Sequence, residues 1–250
     1  KKINAKIKVQ WIHFDVSKVI RSNIFGNRIY PFFDKIYCVS KNAKVVFDDM
    51  FPNFRDKTSV FKNIVSKSNL EQLASVGETF SDDYDGLKIL TLGRLSEEKG
   101  QQMIPSVVHR LKKDKFKFKW YLIGAGKLKD DLSSQIKELD LRNNLIVLGS
   151  KINPYRFVKD CDIYVQTSFH EGYCLTVHEA KVLAKPVVMT NVASADSLIL
   201  NGEDGLIVEI NEDAIYTGVK KLITDTELRM LFSRNLLALE TMSEINKFNL

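Results

Sequence analysis

From Lys88 onward, apolar runs of strand length alternate with stretches of helical periodicity. The runs occupy residues 88–93 (Lys-Ile-Leu-Thr-Leu-Gly), 118–124, 144–149, 162–167 and 186–190. Helical patterns lie between them, near 99–113, 127–140, 153–160 and 174–184. Within each run the apolar residues are continuous rather than alternating, as in strands covered on both faces. Strand–helix alternation with short turns predicts parallel strands joined by right-handed crossovers. Residues 211–240 read as two further helices, and no internal repeat or low-complexity tract interrupts the rhythm.

Upstream the pattern is looser. Residues 7–14 (Ile-Lys-Val-Gln-Trp-Ile-His-Phe), part of 30–39, and 58–65 read as strands, with a helix after Ser40 through Ala43, Val46 and Phe47. Gly77, Ser81, Asp82, Asp83, Asp85 and Gly86 then mark a linker over 76–87. The fold class expected is α/β, with a complete doubly wound parallel sheet over 88–235.

Composition narrows the classes. Apolar residues at 44% and charged residues at 27% are globular values, and no 18-residue apolar stretch spans a membrane. The opening Lys-Lys-Ile-Asn-Ala-Lys lacks both a signal core and an initiating Met, so the chain is read as starting partway through a longer protein. Cys38, Cys161 and Cys174 are too scattered for a zinc site or a disulfide framework, which suits a reducing cytoplasm. Charge is uneven: residues 1–75 hold 14 Lys/Arg against 6 Asp/Glu, a net of +8, while the remainder is slightly acidic. Such a segment suits an anionic membrane surface or a phosphate-bearing substrate, and a solvated basic surface accounts for it equally well. Nucleic acid is disfavoured because no recognition motif accompanies the charge.

A doubly wound sheet binds its ligand in the loops at the carboxyl ends of its strands. The first such loop is Gly93-Arg94-Leu95-Ser96-Glu97-Glu98-Lys99-Gly100. Gly93 allows a close turn past a ligand, and Arg94 and Lys99 are expected beside a helix N-terminus, chemistry suited to a diphosphate. A solvated turn with two surface charges explains the loop as well. The second is His170-Glu171-Gly172-Tyr173-Cys174-Leu175-Thr176-Val177-His178-Glu179-Ala180. Its backbone N–H groups near Tyr173, Cys174, Leu175 and Thr176 suit phosphate or sugar oxygens, Gly172 allows close backbone approach, and the carboxylate of Glu179 suits a vicinal diol such as a ribose. One such Glu alone is more simply a surface carboxylate; two at this spacing in this loop are not. Gly124-Ala125-Gly126-Lys127 is neither a P-loop nor a dinucleotide fingerprint, because Tyr121, Leu128 and Lys129 occupy the diagnostic positions. It is expected to line the cleft as a close turn, with Lys127 an added phosphate contact.

Here the sequence resembles the retaining glycosyltransferases of the GT-B fold, family 4 (glycosyl transferases group 1). The pair Glu171…Glu179, seven residues between, matches that family's Glu-x7-Glu motif, and Gly93-Arg94…Lys99-Gly100 matches its donor-phosphate loop. Asp162-Ile-Tyr-Val-Gln-Thr-Ser, Lys185-Pro186-Val187-Val188 and Gly202-Glu203-Asp204-Gly205-Leu206-Ile207-Val208 follow in the family's order. Trp11-Ile-His-Phe-Asp15 and Asp34-Lys-Ile-Tyr-Cys-Val-Ser40 resemble late strands of its N-terminal domain. The resemblance implies that 1–75 is the C-terminal part of an acceptor-side domain, that 88–235 binds the donor, and that 236–250 begins a helix returning to the first domain.

It further implies roles. Arg94 and Lys99 would bind the nucleotide diphosphate, Glu179 the ribose, and Glu171 and His13 the transferred sugar. The base would lie near Lys151, Ile152 and Pro154. A hexose would pass from a UDP-sugar, favoured over a GDP-sugar, to a hydroxyl with retention, by same-face displacement rather than through a covalent enzyme intermediate. No metal or cofactor beyond the donor is called for. The setting implied is cell-surface polysaccharide or glycolipid synthesis at the inner face of the membrane. Tyr173 and Cys174 depart from the Phe or Leu common after the Glu-Gly pair. A sugar-nucleotide epimerase or phosphorylase of the same fold, or a nucleotide-sugar-binding module without activity, is the alternative, and this length of chain alone is not required to be active.

Overall fold

In the computed structural model, which describes residues 5–13, 16–19, 23–61, 63 and 65–248, the chain divides into two units. The first comprises Lys1–Ile64 with Glu171–Cys174; the second comprises Val65–His170 with Leu175–Leu250.

In the first unit, β1 (Val9–Ile12), β2 (Lys35–Cys38) and β3 (Thr58–Val60) pair in parallel in that order. Helices α1 (Val16–Val19), α2 (Asn23–Ile29) and α3 (Lys41–Met50) connect them. Ser40 caps α3 by accepting from the amide of Ala43 at 3.1 Å. That helix sends Ala43 and Phe47 into a core with Ile12, Ile36, Cys38, Tyr30 and Phe51. The strands are shorter than the sequence pattern suggested. Pro31 sits in a 3-10 turn over Tyr30–Phe32, which delays β2 to Lys35. Phe14, Asp15, Lys62 and Ile64, counted among the expected strand and motif residues, lie outside the described residues.

The second unit begins with α4 (Lys67–Ala74), which precedes the expected linker yet packs on later elements of this unit. Asn153 and Arg156 donate to carbonyls at its C-terminal end, Leu73 at 2.7 Å and Ser75 at 3.2 Å. The packing therefore divides the chain at 64/65 rather than at 75/76. Six parallel strands follow: β4 (Leu87–Leu92), β5 (Phe118–Ile123), β6 (Leu145–Gly149), β7 (Ile163–Gln166), β8 (Val187–Thr190) and β9 (Gly205–Val208). Their order is β6-β5-β4-β7-β8-β9, doubly wound. The intervening helices are α5 (Ile104–Lys113), α6 (Lys129–Glu138), α7 (Tyr155–Asp160), α8 (Leu175–Val182), α9 (Ala195–Leu198), α10 (Glu212–Thr224) and α11 (Thr226–Phe248). Ile89, Trp120, Leu122, Val165 and Val188 from the strands meet Val107, Leu111 and Val219 from the helices in one buried core.

Two expected boundaries move. The helix read from residue 99 begins at Ile104, because Gly100 is left-handed at φ +69 and two 3-10 turns precede α5. The helix read as starting at 236 is continuous with α11 from Thr226, since no Gly or Pro interrupts residues 226–248.

Candidate functional site

β4 pairs with β5 on one side and with β7 on the other. The winding reverses between β4 and β7, so the crevice of a doubly wound sheet opens at their carboxyl ends. The loops leaving these two strands are the ones that carry the candidate chemistry.

The 93–100 loop is fixed on both flanks. Toward β5, the amide of Gly93 donates to Ile123 O at 3.0 Å and that of Leu95 to Ala125 O at 3.0 Å. The amide of Leu128 returns a bond to Leu95 O at 3.1 Å. This contact needs Gly124, at φ +151: a Cβ there would overlap the carbonyl oxygen of Gly93. Toward β7, Thr167 Oγ1 donates to Lys99 O at 2.9 Å and the amide of Phe169 to Glu98 O at 2.9 Å. Gly100 packs so closely there that a Cβ would overlap Thr167 O. Inside the loop, buried Gln101 donates to Arg94 O at 2.8 Å and accepts from the amide of Ser96 at 3.4 Å.

The backbone is thus positioned from three strand ends, and it presents two cations. Arg94 is exposed and pairs with Glu98 at 2.7 Å; Lys99 is half-buried beside the β7 exit. Neither stands at the N-terminus of an α-helix, contrary to expectation, because α5 starts after them. Gly124 and Gly126 serve close packing against the first loop, and Lys127, in the turn between β5 and α6, is exposed.

Glu179 lies in the middle of α8. Its Oε1 accepts a 3.2 Å hydrogen bond from the hydroxyl of Tyr155, the first residue of α7. Burial pushes the Glu179 carboxyl above its ordinary range, and the Tyr155 bond pulls it partly back. Ile152, three residues before Tyr155, is fully exposed. The Lys151 side chain is committed elsewhere, 2.9 Å from Glu78 and over the ring of Phe157. The structure therefore brings together Glu179 and the start of α7, just beyond the segment expected to receive the base. Tyr155 itself went unrecognised in the sequence, as did Gln166. The latter is a buried amide at the end of β7 whose Oε1 accepts from Thr176 in the first turn of α8 at 3.3 Å.

Glu171, Gly172, Tyr173 and Cys174 are grouped with the first unit, although they are bracketed by elements of the second. Tyr173 donates to Asn63 O at 3.4 Å within that unit. Cys174 is buried at φ +46, a left-handed position that costs a β-carbon residue about 1–2 kcal/mol. His13 is exposed at the end of β1 in the same unit. Cys38 and Cys161 are buried free thiols, pushed up by burial to about 11 and about 12 respectively. Among the described residues, no group of three His, Cys, Asp or Glu side chains is placed to hold a metal, and no helix is long and apolar enough to cross a membrane.

A model of the family described as glycosyl transferases group 1 matches residues 81–236. The N-acetylgalactosamine-N,N'-diacetylbacillosaminyl-diphospho-undecaprenol 4-alpha-N-acetylgalactosaminyltransferase of Campylobacter jejuni is 31% identical over 209 residues, covering 82% of this chain and 54% of that protein. The capsular polysaccharide biosynthesis glycosyltransferase CapM of Staphylococcus aureus is 29% identical over 154 residues, covering 60% of this chain and 40% of its own. The chain thus spans about half the length of the curated relatives it matches. Among solved structures, Anabaena HepE in complex with UDP and glucose superposes with a TM-score of 0.78 at 20% identity, covering 94% of this chain and 66% of that one. A variant of S. aureus TarM, solved with UDP and alpha-GlcNAc-glycerol, gives 0.73 at 18% identity, over 92% of this chain and 46% of its own.

Proposed function

The chain belongs to the glycosyl transferases group 1 family, with an α/β architecture of the GT-B type, and from that premise we propose that it transfers a hexose from a UDP-sugar to a hydroxyl acceptor with retention. One observation carries the reading: the 93–100 loop is stitched to the exit of β7 at the switch point of the sheet, setting Lys99 beside the strand that leads to α8 and Glu179.

The chemistry follows from the charges. In the transfer, the bond between the anomeric carbon and the β-phosphate oxygen breaks while the acceptor oxygen bonds to that carbon on the same face. The acceptor proton passes to the departing phosphate. Negative charge grows on the diphosphate, so Arg94 and Lys99, with amides of the first turn of α8, stabilise the transition state more than the ground state. Glu179 accepts from the ribose hydroxyls, and the exposed face around Ile152 receives the base. Glu171 and His13 are assigned to the sugar on the family motif.

Three things support UDP as the nucleotide and a lipid-linked or polymeric sugar as the acceptor. HepE and TarM were solved with UDP, the C. jejuni relative is named for a diphospho-undecaprenol acceptor, and residues 1–75 carry a net charge of +8, from 14 Lys/Arg and 6 Asp/Glu, suited to an anionic membrane face. Thermal-shift titration of the chain with UDP-, GDP- and ADP-sugars tests the donor. A melting increase with UDP-sugars alone is expected, and none with any nucleotide sugar overturns the reading. Product NMR with the full-length enzyme then reads the anomeric configuration, where inversion would refute retention.

A further inference from the structure

We infer that Gln166 is a positioning residue for the donor diphosphate, a buried amide that sets the first turn of α8. It is the last residue of β7 and only 1% exposed. Its Oε1 accepts from Thr176 Oγ1 at 3.3 Å and lies 3.1 Å from the hydroxyl of Tyr164. Its Nε2 donates to Ser168 Oγ at 2.7 Å. Tyr164, in turn, reaches the carbonyl of Leu92 at the end of β4, at 3.3 Å. From β8, Thr190 Oγ1 donates to Ser168 O at 2.6 Å. One side chain therefore joins the ends of the two strands flanking the switch point, the stretch Gln166–Ser168 and the first turn of α8.

Burial alone does not explain this residue. β7 is buried throughout, and an apolar side chain would occupy the position without the desolvation cost of an amide. A closed polar network in such a place fixes directions that apolar packing leaves loose. The directions fixed here are those of the first turn of α8, anchored at Thr176. The inference rests on the proposed donor reading, in which the amides of that turn meet the phosphates. Gln166 would then act on the diphosphate without touching it.

The test compares UDP with uridine by titration calorimetry on the chain and on two variants. Gln166→Leu removes the whole hub. Thr176→Val removes only the hydroxyl link and keeps the backbone N–H. Each is expected to weaken UDP binding about five- to tenfold, the loss of roughly one buried hydrogen bond, and to leave uridine binding within about twofold. The double variant is expected to be no worse than Gln166→Leu, because the two act through one link. Equal losses for UDP and uridine, or a lowered melting temperature with unchanged UDP affinity, would make the network merely structural and overturn the inference. Arg94→Ala serves as control: if it leaves UDP affinity unchanged, the donor reading fails on its own terms. Should Gln166→Leu not fold, Thr176→Val decides alone.

Discussion

The hydroxyl of Tyr155 donates to Glu179 across the gap between α7 and α8, at 3.2 Å and 24 residues apart in sequence. It couples the acidic residue assigned to the ribose to the start of α7, directly after the segment assigned to the base. Two effects meet at the carboxylate. Burial raises its pKa above the ordinary value of 4.5, and the phenol's hydrogen bond stabilises the charged form.

Donor affinity should therefore depend on pH through Glu179. A ribose diol donates best to an ionised carboxylate, so UDP binding is expected to weaken as pH falls through the raised pKa, starting above 4.5. Tyr155→Phe removes a bond to the charged form and should move that fall to higher pH. Stability runs the opposite way. The raised carboxyl contributes stability that is present below the unfolded-state pKa and is lost as pH rises through the folded one. Glu179→Gln should abolish both dependences and lower UDP affinity about tenfold, the scale of one charge-assisted hydrogen bond. Calorimetry between about pH 5 and 8 checks this, and identical pH profiles for the wild type and Glu179→Gln would remove Glu179 from the site.

Arg94 and Lys99 should matter to transfer far more than to folding. Arg94 makes an exposed ion pair with Glu98 within the loop, a contact worth about 0–1 kcal/mol. As stabilisers of a leaving diphosphate, each is expected to lower kcat by about 100-fold or more when replaced by Ala. Steady-state assays of the full-length enzyme, paired with melting curves, read both quantities. Full activity in either variant would cancel its phosphate role.

Most of the second unit was legible because β4 to β8 are continuous apolar runs, which few other environments permit. β9 carries no strand signal of its own: Leu206-Ile207-Val208 is too short a run, set after Asp204 and Gly205, and its pairing with β8 supplies what the pattern lacks. α4 was hidden by its polar composition, being fixed by its Ser66 cap and by side chains from α7 and the residues just before it. Glu179, Arg94 and Lys99 could be found by local spacing. Tyr155 and Gln166 could not, because their partners come from other elements and nothing in their own neighbourhood marks them.

Gly124 offers a test of the loop architecture itself. An added methyl would collide with the carbonyl of Gly93 and also force a left-handed backbone on Ala. Gly124→Ala is expected to cost about 1–3 kcal/mol and, by displacing the residue before Arg94, to weaken UDP binding as well. Loss of stability with intact UDP affinity would show that the 93–100 loop is positioned independently of the turn at 124–127.

The far end of α8 rests on a buried ion pair. Lys181 Nζ lies 2.7 Å from Asp204 Oδ2 and also donates to Leu198 O, while Asp204 Oδ1 accepts from the amide of Leu200 at 2.9 Å. The Asp204 side chain is 1% exposed and that of Lys181 16%. Deleting the carboxylate strands an ammonium group away from water, so Asp204→Ala is expected to cost about 3–5 kcal/mol. Asp204→Asn keeps the bond to Leu200 and should cost less. Replacing both partners, as Lys181→Met with Asp204→Leu, removes the stranded charge and should recover most of the loss, because an apolar pair carries no desolvation penalty. Urea unfolding of the four proteins measures these differences as midpoint shifts at constant m-value. If Asp204→Ala were as stable as the wild type, α8 would be held by its apolar contacts alone, and Glu179 would owe its place to them.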